Sequence, residues 1–129
     1  MGRLPQTFLM RVEDFSNAMV DVAERLVRDK RFGRIADQVA AAGSSVGANA
    51  YEADEAMSRA DFAKTMCIVM KELNESRFWL RLCVARSWLA PSESGPLQIE
   101  AVEIKNICGA IVARTRENGL KEPVRARKH

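Results

Sequence analysis

Two carboxylates, Glu72 and Glu75, stand three residues apart in the stretch ELNE and would share one face of a helix. Helical bundles that hold a di-iron centre combine such glutamates with Glu-x-x-His pairs. The sequence has one histidine, His129, at its last position, so it offers no such pair and no internal histidine to activate a nucleophile. We therefore interpret Glu72 as a member of a surface ion-pair network with Lys71 and Arg77.

The remaining residues with reactive side chains also favour a structural interpretation. Cys67, Cys83 and Cys108 fall within apolar helical patterns, and none belongs to a Cys-x-x-Cys pair. No glycine-rich phosphate loop follows a strand pattern. We expect a protein that is not an enzyme and that uses neither a cofactor nor a metal ion.

Positive charge is concentrated in two segments, although the net charge is only +3. The basic residues of the first segment are Arg25, Arg28, Lys30, Arg31 and Arg34. Those of the second are Arg114, Arg116, Lys121, Arg125, Arg127 and Lys128. Such clusters are typical of surfaces that bind a polyanion, which makes RNA or DNA a candidate partner. A solvated helix end and a frayed tail would explain the same composition.

Four helices, predicted from the spacing of apolar residues, would position these clusters. Apolar residues recur at alternating intervals of four and three over about residues 7–29, and the same rhythm restarts at Ile35 and continues to about residue 57. Ser58 as N-cap, with Asp61 in the first turn, begins a helix over 59–89. Pro96 and Gly119 bound a fourth helix over 96–118.

No segment shows the period-two alternation of a strand, so the predicted fold class is all-α. Short joints between long helices favour an antiparallel up-down-up-down four-helix bundle made by residues 1–120. Residues 121–129 are predicted to form a basic, disordered tail. No apolar run approaches the ~20 residues that span a bilayer, and the N-terminal segment lacks the apolar core of a signal peptide, so we expect a cytoplasmic protein.

Residues 43–49, GSSVGAN, resemble a loop by propensity, because glycine, serine and asparagine disfavour helix. The apolar rhythm nevertheless continues through them, which predicts a helix in which Gly47 and Ala48 allow close packing. Asn49 would then lie on the core stripe and Glu52 beside it. A buried charge needs a partner, so Asn49 and Glu52 predict a polar network in which Glu52 pairs with Lys71 or Arg77 across the bundle. A role for Asn49 and Glu52 in lining a ligand pocket is the alternative.

The third and fourth helices contain more apolar residues than one core seam requires. A monomer would expose the surplus, which predicts a homo-oligomer. The predicted interface consists of Ile68, Phe78, Trp79, Leu82, Val102, Ile107 and Val112. Trp79 is interpreted as a core or interface residue and Trp88 as a helix-end packing residue, with base stacking as the alternative for either.

Small, polar and aromatic residues are spaced across the second and third predicted helices in a pattern that is specific to a family. The members of the pattern are Gln38, Ser45, Val46, Asn49, Ala50, Glu52, Ala53, Ser58, Asp61, Phe62, Glu72, Glu75, Ser76, Trp79 and Leu80. This pattern resembles the family of four-helix bundle proteins first noticed as reading frames in intervening sequences of 23S ribosomal RNA genes. The match is dense in the central third of the chain, where Ala50 replaces the commoner Ile, and the flanks match in helix pattern only.

The resemblance implies an antiparallel four-helix bundle, a homopentameric ring and a polar core made by the family-motif residues Asn49, Glu52, Glu72 and Glu75. The chain is more remotely similar to the accessory protein of diversity-generating retroelements, a basic pentamer that binds nucleic acid and a reverse transcriptase. The resemblance implies no particular activity, because the family is named after the position of its genes.

These observations predict a non-enzymatic homo-oligomer that binds nucleic acid, or a nucleic-acid enzyme, through its basic clusters. The alternative is a structural or protein-interaction scaffold without affinity for nucleic acid. In an up-down-up-down bundle the two clusters are expected at opposite poles.

Overall fold

The computed structural model describes residues 2–120, which form four α-helices and contain no strand. The helices are α1 (Gln6–Arg28), α2 (Gly33–Asp54), α3 (Arg59–Ala85) and α4 (Pro91–Leu120). Each helix packs against the one before it in the chain, and the joints are short, so neighbouring helices are antiparallel. The predicted all-α four-helix bundle is confirmed.

Two ends of the bundle differ in the segments that they contain. The α1–α2 turn, residues 29–32, and the α3–α4 turn, residues 86–90, lie at one end, which we call the turn pole. The α2–α3 joint, residues 55–58, lies at the other end with the start of α1 and the end of α4, which we call the joint pole.

The core of the described bundle is apolar except for two buried serines, Ser76 and Ser94. Its largest fully buried side chains are Phe15, Met19, Leu26, Met66, Leu73, Leu80 and Ile104. Contact between α1 and α4 is the sparsest of the contacts between neighbouring helices. It includes ion pairs that join Arg11 to Glu100 and Glu103, and Arg25 to Glu93.

The same backbone motif ends α1 and α3. The N–H groups of Lys30 and Arg31 donate to the carbonyls of Val27 and Leu26, at 3.0 and 2.9 Å. The N–H groups of Ser87 and Trp88 donate in the same pattern to Val84 and Cys83. This pattern is a Schellman motif, which requires one left-handed residue. Lys30, with φ 58°, and Ser87, with φ 61°, occupy that position instead of glycine.

The structure corrects two predicted helix ends. α3 ends at Ala85 rather than at residue 89, because the left-handed Ser87 stops the helix. α4 begins at Pro91 rather than at Pro96, and Pro96 lies within the helix. Pro91 is well placed at a helix start, since the first N–H groups of a helix have no intrahelical partner. At the start of α3, Ser58 caps the helix as predicted, with its Oγ accepting from the N–H of Asp61 at 3.1 Å.

Residues 43–49 are helical within α2, and α1 explains their small side chains. A Cβ on Gly43 would lie 2.2 Å from Cβ of Met19, so only glycine fits. The Ser16 hydroxyl of α1 donates to the carbonyl of Gly43 at 2.7 Å and accepts from the N–H of Gly47 at 2.9 Å. Gly47 is buried as predicted, but the prediction for Ala48 is wrong, because Ala48 is exposed.

Candidate nucleic-acid interface

The first basic segment forms the α1–α2 turn and its flanks, and one of its five cations is neutralised. Arg25 pairs with Glu93 at the start of α4 and lies 3.6 Å from the carboxylate of Asp29. Glu93 also accepts from the N–H of Ala90 at 3.0 Å. That N–H, and then Arg25, lower the pKa of Glu93 below its usual range, so the carboxylate is ionised at neutral pH. Arg25 therefore holds α1 to the α3–α4 turn and contributes little free positive charge.

The other four cations of this segment are available to a ligand. Arg28, Lys30, Arg31 and Arg34 are all exposed. Their side chains make no hydrogen bond or ion pair with another residue of the described range 2–120. We call residues 28–34 the basic turn. Its positive charge can attract and bind anions.

An aromatic residue stands within the basic turn. Phe32 is 62% exposed and occupies the N-cap position of α2, where its carbonyl accepts from the N–H groups of Ile35 and Ala36. Phe32 does not belong to the repeating apolar positions of any predicted helix, so the apolar spacing does not identify it. The sequence signal that marks it is an aromatic residue between Arg31 and Arg34 next to a predicted turn.

The second basic segment begins at the opposite pole. Arg114 and Arg116 are exposed near the end of α4. Arg116 lines a cleft with Arg59 and Lys64 of α3. These two cations are distant from the second basic segment in the sequence, so the clustering of charge along the chain does not identify them. The other residues of the segment, Lys121, Arg125, Arg127 and Lys128, lie outside the described residues, as does the predicted tail 121–129.

The polar residues of the family pattern do not form a buried network, which corrects the predicted polar core. Glu52 and Glu75 are exposed, and Glu52 makes no salt bridge with the described Lys71 or Arg77. Asn49 is half-buried and donates to the carbonyl of Ser45 on its own helix, at 2.8 Å.

A shift of one residue in the core stripe of α2 explains this difference. Ala50, rather than Asn49, is fully buried. Alternating intervals of four and three residues average 3.5, whereas an α-helix has 3.6 residues per turn. The predicted stripe therefore moves gradually out of register with the buried face of the helix.

Glu72 and Arg77 do not form the predicted ion-pair network. Burial, with Glu75 as a second cause, raises the pKa of the partly buried Glu72. The Arg77 Nε lies 3.4 Å from the side-chain oxygen of Gln98, and the Gln98 Nε2 donates to the Arg77 carbonyl at 3.0 Å. These contacts join α3 to α4 instead.

The seven residues predicted to form the oligomer interface differ widely in exposure. The prediction that Val112 lies in the interface is wrong, because this residue is 4% exposed and belongs to the core. Phe78 is 54% exposed, and the others are half-buried: Ile68, Trp79, Leu82, Val102 and Ile107. Phe78 and Leu82 border an open groove between α3 and α4, of about 740 Å³, that Pro91 and Gly95 complete. Ile99 on α4, also exposed, is absent from the predicted set.

Neither tryptophan offers a fully exposed ring. Trp79 is half-buried with its ring edge against Phe78, the centroids lying 5.1 Å apart. Its indole N–H has no acceptor among the described residues. Trp88 packs partly against the core, and the guanidinium of Arg86 lies 5.9 Å from the centre of its ring.

Burial raises the pKa of the Cys108 thiol to about 12, which keeps it protonated and a poor nucleophile. Within residues 2–120, no group of three or more histidine, cysteine or acidic side chains could hold a metal ion. None of the helices in this range is long and apolar enough to cross a membrane. The turn pole presents four exposed cations in the basic turn.

Comparison with known proteins identifies relatives over most of the chain. The family model described as 23S rRNA-intervening sequence protein matches residues 7–110. A crystal structure of a protein of unknown function from the S23 ribosomal protein family of Bacteroides thetaiotaomicron is 29% identical, with a TM-score of 0.78. The match covers 81% of this chain and 97% of that one. No curated protein matches. Because the family model covers well over half of its residues, this chain belongs to the 23S rRNA-intervening sequence protein family.

Proposed function

We propose that this protein is a non-enzymatic, homo-oligomeric bundle that binds nucleic acid through the basic turn. The observation that carries the proposal is the set of four exposed cations, Arg28, Lys30, Arg31 and Arg34, without carboxylate partners in the described range. Like charges this close in sequence repel one another, and a polyanion relieves that repulsion. Phosphate groups are the ligands that such a surface fits.

Binding of this kind depends on phosphate contacts and releases counterions from the nucleic acid. It tolerates changes in base sequence and weakens steeply with salt. Arg25 is not counted as a phosphate contact, because Glu93 and Asp29 already neutralise it.

Assembly would multiply the effect of one basic turn. The open groove between α3 and α4, with exposed Phe78 beside it, supports a subunit interface, because large apolar surfaces mark association sites. We propose a pentameric ring, which would repeat the basic turn around one rim. Several weak contacts on one strand then act as a multivalent site.

A charge-matched pair of variants tests the proposal. Arg31→Gln/Arg34→Gln removes two cations of the basic turn, and Lys71→Gln/Lys105→Gln removes one cation each from α3 and α4, outside both basic segments. Fluorescence anisotropy with a labelled oligonucleotide, from about 50 to 200 mM salt, gives affinity and salt slope. We expect the first variant to bind at least tenfold more weakly, with a slope shallower by about one for each lost contact. The matched variant should bind like the unmodified protein.

Two results would contradict the proposal. The first is an unmodified protein that binds no RNA or DNA at about 50 mM salt. The second is an equal loss in both variants, which would show that charge anywhere on the surface suffices. Light scattering that returns a stable monomer of 14.4 kDa would exclude the ring.

A scaffold without affinity for nucleic acid is the second candidate function. The groove between α3 and α4 favours it, since an apolar surface can join proteins as well as subunits. An oligomer in light scattering that shows no nucleic-acid binding at low salt would support this candidate. A partner that is a nucleic-acid enzyme would fit either function.

A further inference from the structure

Neither packing nor capping explains Phe32. Its side chain is 62% exposed, so it contributes little to the core. It occupies the N-cap position of α2 and makes no side-chain capping bond, although Ser, Thr, Asp or Asn would stabilise the helix there. An exposed ring at this position therefore lowers stability relative to a polar residue. Such a residue at a surface turn points to binding.

Gly33, the next residue, is also not required by the fold. A Cβ at this position would meet nothing within 4 Å, and the backbone there does not have positive φ. The glycine leaves the space beside the Phe32 backbone without a side chain. The sequence Arg31-Phe32-Gly33-Arg34 thus combines an exposed ring, an open flank and two cations that have no partner in the described range.

We propose that Phe32 is a stacking platform for an unpaired base, so that the basic turn binds single-stranded nucleic acid. This inference rests on the proposed function. The cations hold the backbone phosphates, and the ring stacks on a base that lies between them. Aromatic side chains combined with a basic surface are the usual means of binding single strands without sequence preference. A duplex keeps its base faces stacked inside and leaves Phe32 no base to contact, while its phosphates still reach the cations.

The test compares single-stranded oligo-dT with a DNA duplex of the same length, each labelled for anisotropy. Phe32→Leu keeps an apolar side chain but removes the ring. We expect it to bind oligo-dT about tenfold more weakly, within the range measured for loss of one stacked base, and to bind duplex unchanged. The salt slope should stay the same, because the ring neutralises no phosphate. Tyr51→Leu, at an exposed ring of α2 that lies outside the basic turn and the α3–α4 groove, is the matched control and should bind both probes normally.

Phe32→Trp adds a direct readout. It keeps an aromatic surface, so affinity for oligo-dT should be retained, and the added indole should be quenched when the strand binds. Unquenched fluorescence of this indole at saturating oligo-dT would overturn the inference.

The outcomes separate the inference from the proposed function. If the unmodified protein binds both probes and Phe32→Leu changes neither, or weakens both equally, the stacking inference is wrong and polyanion binding stands. If the unmodified protein binds neither probe, the proposed function fails. If Phe32→Leu changes the mass measured by light scattering, Phe32 is a subunit contact and the inference is overturned.

Discussion

The two turns at the turn pole share one backbone geometry and present opposite surfaces. Both are Schellman motifs with a non-glycine residue in the left-handed position. In the α3–α4 turn the next residues are Trp88 and Leu89, which pack against the core, with Leu89 only 4% exposed. In the α1–α2 turn the equivalent residues are Arg31 and Phe32, and both are exposed. The motif ends the helix in each case, and the next two side chains decide whether the turn joins the core or is exposed to solvent.

Interactions with neighbouring helices reinforce this difference. The Glu93 carboxylate accepts hydrogen bonds from the N–H of Ala90 and from the guanidinium of Arg25. These bonds connect the α3–α4 turn to the start of α4 and to α1. The guanidinium of Arg86 covers the Trp88 ring. The side chains of Arg28, Lys30, Arg31 and Arg34 have no such partners in the described range. One turn is therefore held in place by side-chain contacts, and the cations of the other are exposed.

The largest expected effect comes from truncating the equivalent apolar residues of the two turns. Leu89→Ala removes a buried side chain and should lower the free energy of unfolding by about 2–5 kcal/mol. Phe32→Ala should change it by less than about 0.5 kcal/mol, since the ring is exposed. Chemical denaturation of both variants measures the difference. Equal losses would show that Phe32 packs in solution and would remove the contrast between the turns.

Two glycines extend the comparison from the turns to helix packing: Gly43 of α2 lies against α1, and Gly109 of α4 lies near α3. Gly43→Ala should destabilise the fold by about 1–3 kcal/mol, because the new Cβ would overlap with Met19 in the tightly packed α1–α2 pair. Gly109→Ala on α4 meets Met70 Sδ only at 3.9 Å and should stabilise the helix by up to about 1 kcal/mol. Melting temperatures that move in opposite directions would confirm the difference, and a stabilising Gly43→Ala would refute close packing of α1 on α2.

Glycine substitutions at the two left-handed positions should separate the effect of each turn on stability from its effect on oligonucleotide binding. Lys30→Gly and Ser87→Gly each relieve an unfavourable φ and should raise stability by about 1 kcal/mol. Lys30→Gly also removes a cation from the basic turn, so its affinity for an oligonucleotide should fall while that of Ser87→Gly stays constant. Parallel denaturation and anisotropy measurements check both effects. Unchanged affinity in Lys30→Gly would exclude Lys30 from the binding surface.

The smallest expected effect is the response of the α3–α4 turn to acid. The pKa of Glu93 is lowered in the folded state, so its contribution to stability is complete above the unfolded value near 4.5 and is lost as pH falls through the folded value. Glu93→Gln should therefore cost stability at pH 7 and show a smaller loss between pH 5 and pH 3 than the unmodified protein. Thermal unfolding across that range measures it. Parallel pH profiles would mean that the Arg25–Glu93 pair does not form in solution.

The features that depend on residues within one helical turn of each other could be predicted from the sequence. Apolar intervals predicted all four helices, including α2 through its glycine and serine residues, and the Ser58 cap was recognisable from the Asp61 that follows it. Helical periodicity and capping are local, because they arise from backbone geometry and from contacts between residues three or four apart. The basic turn was also recognisable, since its cations are neighbours in the chain.

The tertiary structure decided which of those residues are buried, paired or free. The pairing of Arg25 with Glu93 joins residues 68 positions apart and, together with the neighbouring Asp29, neutralises one cation of the first basic segment. The burial of Ala50 instead of Asn49, and of Val112, depends on how each helix is rotated against its neighbours, which a repeat of three and four does not fix. Phe32 and Leu89 follow the same local motif and differ in exposure because only the second has a neighbouring helix surface to cover it. Contacts between elements depend on helix orientation and spacing, and these are set by the packing of the whole core rather than by any short stretch of sequence.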